Sequence, residues 1–299
     1  MKTILLTGAK GMLAYDFLNH FSNNFKIIPL DRDNGDITDI SSIEKIIEDN
    51  EPELLLNFAA YTNVEDAEDI GVKDNFEVNA LWVYNLAKIS AKYDMDLITV
   101  STDYVFDGTK KIWYSETDLP NPINSYGMAK YLWEKLAIQE NPNTIIIRTS
   151  RLYGWWNEFI ERHNAKGDVE TIPRYKNFVN TMIKLAEIKK KVKVVNDQFW
   201  SPTYTVDLCK AIIEIIENID MYRWKILHLC NNTTDNGISW FEFAEQIFKT
   251  IATKTQLHPC SSKEFITKAK RPEHTKLLNW SDVRLRDWKE GINEYIKMI

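Results

Sequence analysis

Short apolar runs and amphipathic segments alternate along the first half of the chain. Residues 4–6, 25–30, 53–58, 97–100 and 144–147 are apolar stretches of strand length, and the second of them ends at Asp31. The segments between them carry helical spacing. These are residues 12–21, a stretch capped by Ser41 or Ser42 that runs through Ile46 and Ile47, residues 76–93, and residues 126–139. In residues 76–93 the apolar positions are Val78, Leu81, Val83, Leu86, Ala87 and Ile89, one face of a helix. Strands alternating with helices predict an α/β fold, a Rossmann-like doubly wound parallel sheet with helices on both faces.

The second half is less regular. Helices are expected over residues 178–189 and 206–219, after Ser239 through Phe248, and over 290–298, with strands near 192–195 and 226–229. This half is too short for a sheet of its own and is expected to pack over the carboxyl ends of the first sheet. The predicted division is residues 1–150 as one domain and 151–299 as a smaller α/β region, some segments of which return to the first. Residues 155–176 are polar, charged and aperiodic, and read as a surface excursion or a lid.

Composition narrows the function classes. The 299 residues are 44% hydrophobic and 27% charged, with a net charge of -6 and no long basic run, which argues against a nucleic-acid surface. No apolar run approaches a membrane span, and no signal-peptide pattern precedes the first strand, so a cytoplasmic protein is expected. Cys209, Cys230 and Cys260 are too scattered for a disulfide framework or a metal spacing. The ten tryptophans, Trp113, Trp155 and Trp156 among them, are read as packing residues.

Two local patterns carry chemistry. The first is Thr7-Gly8-Ala9-Lys10-Gly11-Met12-Leu13, a glycine turn between a strand and a helix, with Ala14 small enough for close helix–strand packing. Such a turn aims backbone N–H groups and a helix N-terminus at a pyrophosphate. Asp31, ending the second strand, is placed to accept ribose hydroxyls, whereas Arg32 suits a 2′-phosphate, so NADH and NADPH both stand. Asp36 and Ile37 are candidates to flank the adenine. Ala59, Ala60 and Tyr61 are candidates for the nicotinamide side, although the two alanines fit simple packing nearly as well.

The second pattern is Ser101-Thr102-Asp103-Tyr104 followed by Tyr126 and Lys130, four residues apart. Positions four apart share a helix face, so the Lys130 ammonium is expected to lower the phenol pKa of Tyr126 toward the range of an acid–base catalyst. Thr102 can hydrogen-bond the same carbonyl oxygen. A hydroxyl, a phenol, an ammonium and a dinucleotide turn together specify hydride transfer from a nicotinamide to a carbonyl.

With these residues the chain resembles the extended short-chain dehydrogenase/reductases, and within them the dTDP-4-dehydrorhamnose reductase family. The resemblance covers most of the chain in order. It runs through Ser101-Thr102-Asp103-Tyr104-Val105-Phe106-Asp107-Gly108, Tyr126-Gly127 with Lys130, and Arg148-Thr149-Ser150-Arg151-Leu152-Tyr153-Gly154. It continues through Asn177-Phe178, Asn196-Asp197-Gln198-Phe199 with Pro202-Thr203, and Arg271-Pro272 with Leu278-Asn279. It implies reduction of the C4 keto group of dTDP-4-dehydro-L-rhamnose by NADPH or NADH, with Tyr126 as proton donor, Lys130 holding the nicotinamide ribose and Thr102 assisting. It implies cofactor contacts at Gly11, Met12, Leu13, Asp31, Asp36, Ile37, Ala60, Tyr61 and Thr62, and sugar-nucleotide contacts at Thr62, Val64, Asp103 and Tyr104. A homodimer is compatible with it, and so is a magnesium ion near Asp16, although no metal ligand is assigned. One departure bears on specificity. Arg151 stands where the family carries a tryptophan against the hexose, which puts Arg151 among the substrate contacts and leaves Trp155 or Trp156 to supply the aromatic face. Two alternatives follow: a reductase of another nucleotide-linked 4-keto-6-deoxysugar, or a non-catalytic NADP-binding regulatory subunit resembling that of methionine adenosyltransferase.

Overall fold

The computed structural model describes residues 1–31, 40–155, 159–163, 169–173, 177–233 and 236–299. Six parallel strands form its main sheet: β1 (Thr3–Thr7), β2 (Lys26–Leu30), β3 (Leu54–Asn57), β4 (Asp96–Thr102), β5 (Thr144–Thr149) and β6 (Ile226–His228). Their spatial order is β6-β5-β4-β3-β1-β2. The chain leaves β1 toward one edge and resumes at β3 toward the other, so the order reverses at β1 and a crevice opens at the carboxyl ends there. The strands are apolar throughout because both faces are covered. Helices α1 (Met12–Phe21) and α6 (Thr205–Glu217) share one core with Leu6, Leu56 and Ile147. Helices α2 (Ile40–Asn50), α3 (Trp82–Lys92) and α4 (Ser125–Glu140) cover the other face, with Leu55, Leu97 and Ile146 beneath them. This is the α/β, doubly wound parallel sheet that the alternation of strand and helix predicts.

Three local expectations are corrected. Helix α2 begins at Ile40, so Ser41 and Ser42 lie inside its first turn rather than capping it. Helix α4 begins one residue before Tyr126, because the Asn124 side chain caps it, accepting the Gly127 N–H at 2.7 Å. Before α3 the chain forms a short helix (Val72–Phe76) and then a π-helical turn (Glu77–Leu81). The wider turn advances the register, and Leu81, which the period puts on the apolar face, is 53% exposed.

Beyond residue 150 the chain does not stay above the sheet. Ile226–His228 pairs with β5 as the sheet edge, and α6 packs on α1. The remaining elements surround a second core: α5 (Phe178–Ile188), α7 (Trp240–Thr250), α8 (Trp288–Met298) and two-stranded ladders such as Lys191–Val195 with Gln256–Cys260. Aromatic rings dominate it, among them Tyr153, Trp200, Tyr204, Phe243, Trp288 and Tyr295. Within the stretch read as aperiodic, Phe159–His163 and Val169–Pro173 pair as an antiparallel hairpin. Phe, Ile, Val and Thr on the two arms favour a strand, and the charges interleaved with them hide the alternation.

Candidate active site

A cleft of about 570 Å³ opens at the carboxyl ends of β1, β3, β4 and β5. Its floor starts at the glycine turn. Gly8 has φ +71°, and a Cβ there would stand 2.6 Å from the Ala59 backbone nitrogen, so the β1–α1 turn passes directly under the loop that follows β3. Gly11 precedes α1 without a side-chain cap, which leaves the first turn of the helix facing the cleft through Gly11, Met12 and Leu13. Asp31 closes the turn by accepting the Lys10 N–H at 2.7 Å. This backbone cradle, with a Cβ-intolerant glycine and an uncapped helix N-terminus, fits the pyrophosphate of a dinucleotide.

Buried amides that no motif announces hold the loop after β3. Asn57 accepts from the Thr7 hydroxyl at 2.6 Å and donates to Thr99 at 2.9 Å, locking the ends of three strands together. Asn79, on the π turn, accepts the Tyr61 N–H at 3.1 Å and donates to the Tyr61 carbonyl at 2.8 Å. A buried donor left unpaired would cost roughly 1–3 kcal/mol, so these bonds fix the loop rather than decorate it. The loop then presents Ala60, Thr62 and Val64 to the cleft.

The opposite wall carries the polar groups. A Cβ at Gly127 would stand 2.1 Å from the Tyr104 carbonyl oxygen, so α4 starts in backbone contact with the turn after β4. That contact brings Tyr126 beside Thr102 in the cleft and against Tyr104, whose ring crosses the Tyr126 ring edge-on at 6.1 Å. Lys130, 2% exposed and one turn further along α4, donates to the Val100 carbonyl at 2.7 Å. Glu134, a further turn on, accepts from Ser101 and forms a two-point ion pair with Arg148, Nε to Oε1 at 3.0 Å and Nη2 to Oε2 at 2.6 Å. Ser101 and Arg148 therefore brace the wall through Glu134, and Ser101, Thr102, Tyr126 and Lys130 line the space it encloses.

The electrostatics overturn one expectation. The Tyr126 phenol lies well above a free phenol, because burial disfavours the phenolate; the Thr102 hydroxyl opposes this, the Asp103 and Tyr104 charges add to it, and Arg151 opposes it least. The Lys130 ammonium is itself pushed down to about 8 by burial, with Glu134 opposing. The phenol is thus held in its proton-carrying form, the form a proton donor needs.

Of the residues singled out in the sequence, Gly11, Met12, Leu13, Ala60, Thr62, Val64, Thr102, Asp103, Tyr104, Tyr126, Lys130 and Arg151 line one cleft. Gly8, Asp31, Ala59 and Tyr61 do not line it. Gly8 and Ala59 pack beneath it, Asp31 braces the turn, and the Tyr61 hydroxyl lies against Gly71. Arg32, Asp36, Ile37 and Trp156 lie outside the described residues. Trp155 turns away to cross Tyr295 at 5.9 Å. The aromatic wall comes instead from Phe178, Trp240 and Phe243, with Phe178 and Trp240 centroids 4.6 Å apart, and Arg271 joins the rim. Asn177-Phe178 and Arg271-Pro272 were visible only as parts of the family resemblance, and no local signal marks Trp240 or Phe243. Asp16 is fully buried, with Oδ2 accepting from Thr205 and from the Trp155 N–H, so it presents no surface carboxylate to a metal. Among the described residues no group of three or more His, Cys, Asp or Glu could hold a metal ion, and no helix is long and apolar enough to cross a membrane.

Comparison with known proteins agrees with this geometry. The dTDP-4-dehydrorhamnose reductase of Aggregatibacter actinomycetemcomitans is 31% identical over 308 residues, covering 98% of this chain and 97% of the relative. The dTDP-4-keto-6-deoxy-D-glucose reductase of Streptomyces niveus is 29% identical, covering 99% and 96%. The crystal structure of dTDP-4-dehydrorhamnose reductase from Bacillus anthracis in complex with NADP superposes with a TM-score of 0.87 at 31% identity, over 100% of both chains. Fold and cleft define an oxidoreductase of the extended short-chain dehydrogenase/reductase type. The chain belongs to the family described as RmlD substrate binding domain, whose model matches residues 1–299.

Proposed function

We propose that this protein reduces the C4 keto group of dTDP-4-dehydro-L-rhamnose to dTDP-L-rhamnose at the expense of NADPH or NADH. The observation that carries the reading is the convergence of Thr102, protonated Tyr126 and Lys130 on one wall of a cleft whose floor is an uncapped helix N-terminus. The NADP complex of the Bacillus anthracis relative supports the choice of cofactor.

A nicotinamide bound in the cleft would supply a hydride to the carbonyl carbon. As negative charge develops on the carbonyl oxygen, Tyr126 transfers its phenolic proton there, forming the O–H bond and leaving a phenolate. The raised phenol pKa keeps that proton in place until the oxygen becomes basic enough to take it. Thr102, whose hydroxyl lowers the phenol pKa against the effect of burial, stabilises the phenolate that results. Lys130 lies one turn from Tyr126, fixed on the Val100 carbonyl, where its ammonium can hold the nicotinamide ribose. Gly11, Met12 and Leu13 would hold the pyrophosphate, and Thr62, Val64 and Tyr104, which line the same cleft, would contact the sugar nucleotide.

A second reading, reduction of another nucleotide-linked 4-keto-6-deoxysugar, is favoured by the buried cation Arg151 in the substrate wall and by the Streptomyces niveus relative. A purely regulatory NADP-binding role has no use for the Thr102, Tyr126 and Lys130 set.

The test follows nicotinamide oxidation with enzymatically prepared dTDP-4-dehydro-L-rhamnose and both coenzymes. Tyr126→Phe is expected to keep cofactor binding and to lose about 10²–10⁴-fold in kcat, the usual contribution of a positioned proton donor. Unchanged turnover in that variant would sink the proton-donor assignment. Tight NADPH binding with no turnover of any 4-keto sugar by the wild type would move the reading to a regulatory role.

A further inference from the structure

The residue before Tyr126 is gripped on both sides by side chains from a distant stretch of the chain. The Ser125 N–H is one of the donors that a helix leaves unsatisfied at its start. The Glu68 carboxylate accepts it through Oε1 at 2.6 Å, across 57 residues of sequence. The Ser125 carbonyl accepts from Asn75 Nδ2 at 3.0 Å, and Asn75 is fully buried. The planar peptide that follows leads directly into Tyr126, so a shift of Ser125 is carried to the phenol.

Other contacts at this end of α4 do different work. Asn124 caps the Gly127 N–H from within the same segment, which shapes the turn, and its Nδ2 reaches the Lys270 carbonyl at 2.9 Å, out toward the rim. The close approach of Gly127 to Tyr104 stops the helix from moving inward but cannot keep it from moving out. Glu68 pulls. A carboxylate on an N-terminal N–H makes a charge-assisted bond, stronger than a neutral one and favoured by the helix dipole. It also pulls from a fixed post. Glu68 ends a short 3-10 turn (Asp66–Glu68) whose Ala67 is fully buried. Glu65, just before that turn, accepts from Arg271 Nη2 at 2.8 Å and from the Lys268 N–H at 2.7 Å. The same loop presents Thr62 and Val64 to the cleft.

We infer that Glu68 is a positioning residue for the reduction: acting through Ser125, its carboxylate holds Tyr126 at the distance from the carbonyl oxygen that proton transfer needs, and sets that distance from the loop that faces the sugar. The inference rests on the reading of Tyr126 as the proton donor. A donor works within about 2.6–3.2 Å of the atom it protonates, and a misplacement of about 1 Å can cost about 10²-fold in rate. Glu68 touches neither the space beside the carbonyl nor the glycine turn, so its loss belongs in the chemical step and not in binding.

The experiment is a double-mutant cycle on Glu68→Ala and Tyr126→Phe, read as the single-turnover rate of NADPH oxidation with saturating dTDP-4-dehydro-L-rhamnose. Glu68→Ala alone is expected to slow that rate about 10–100-fold, with NADPH affinity and the sugar-nucleotide KM unchanged. Glu68→Gln, whose amide oxygen still accepts the Ser125 N–H, is expected to recover part of the loss. In the Tyr126→Phe background Glu68→Ala is expected to cost nothing further, because the group it positions is gone; a residue that merely supports the fold would slow both backgrounds alike. An unchanged rate in Glu68→Ala, or an equal loss in the two backgrounds, overturns the assignment and leaves the reductase reading intact. A Tyr126→Phe protein as fast as the wild type overturns the donor reading and the assignment with it. If Glu68→Ala does not fold, Glu68→Asp, one methylene short of Ser125, takes its place in both backgrounds under the same criteria.

Discussion

The two walls of the cleft are built on opposite principles. The nucleotide side is made of strand ends and tight turns: Gly8 pressed on Ala59, Gly127 pressed on Tyr104, and buried side-chain bonds and an ion pair that tie strand ends and α4 together. Its precision comes from close approach and hydrogen bonds, which tolerate no added atom. The roof is an aromatic cluster in which Phe178, Trp200, Trp240 and Phe243 pack ring on ring, with centroids 4.4 to 5.7 Å apart. Its precision comes from shape and area. A substrate that must be oriented to within a hydrogen-bond length at one end and admitted by size at the other needs both kinds of wall, and damage to the two should look different.

The largest contrast is between Gly8→Ala and Phe243→Ala. Alanine at Gly8 adds a Cβ 2.6 Å from a backbone nitrogen at φ +71°, so left-handed strain and overpacking together cost about 2–5 kcal/mol and push apart the turn and the Ala59 loop. The expected outcome is loss of NADPH affinity well before loss of fold, read by cofactor titration. Phe243 is 1% exposed at the centre of the second core, and its removal is expected to cost about 3–5 kcal/mol of stability. Cofactor affinity should persist in the molecules that remain folded while the sugar-nucleotide KM rises. If Phe243→Ala weakened NADPH as strongly as Gly8→Ala, the division between the walls would be wrong.

A smaller effect probes the seam between the regions. Asp16 on α1 is buried against Thr205 of α6, and burial pushes its carboxyl up to about 6 from 3.8. A raised carboxyl pKa means that the folded state holds a proton that the unfolded chain has lost between those two values. The stability it contributes is therefore present at low pH and is lost as pH rises through 6. At pH 8 the penalty is the difference of 2.2 units, about 3 kcal/mol as an upper figure. Asp16→Asn, whose amide oxygen keeps the Thr205 and Trp155 bonds, is expected to raise Tm by several degrees at pH 8, with the gain vanishing near pH 4. A gain that is the same at both pH values would show that charge burial is not its cause.

How much of this was legible in the sequence follows the same division. The nucleotide side is local: glycine turn, strand, hydroxyl, phenol and lysine sit at spacings that a helix turn or a strand end converts directly into position. Even there the Ser101–Gly108 motif mixes kinds of work, since Ser101 bonds Glu134 while Asp107 ties Thr109, Tyr114 and Asn121 into a loop. The phenol pKa departs from the direction the Lys130 spacing predicts because spacing reports a neighbouring lysine but not burial, which dominates. The roof was illegible for a different reason. Trp240 and Phe243 reach Arg151 and Tyr153 only through the tertiary packing of α7, and nothing near them in sequence distinguishes a cleft aromatic from a core one. Asn57 and Asn79 escaped notice because a buried amide has no motif; its role exists only once its partners are folded around it.

The smallest prediction isolates the roof from the fold. Helix α7, which carries Trp240 and Phe243, starts at a capping box: the Ser239 hydroxyl accepts the Glu242 N–H at 3.1 Å, and the Glu242 carboxylate accepts the Ser239 N–H at 2.7 Å. Trp240 is the first residue of that helix, so the cap sets where its indole points. It is held further by its own Nε1–H donating to Gln198 at 3.1 Å. Ser239→Ala removes half the box and is expected to cost about 1 kcal/mol, too little to unfold the second core. The expected signature is a Tm lowered by a few degrees, a sugar-nucleotide KM raised a few-fold, and kcat and NADPH affinity unchanged, because Thr102, Tyr126 and the glycine turn do not touch the cap. A fall in kcat at constant KM would mean that the aromatic wall does more than admit the substrate: it would be setting the angle at which the carbonyl meets the phenol.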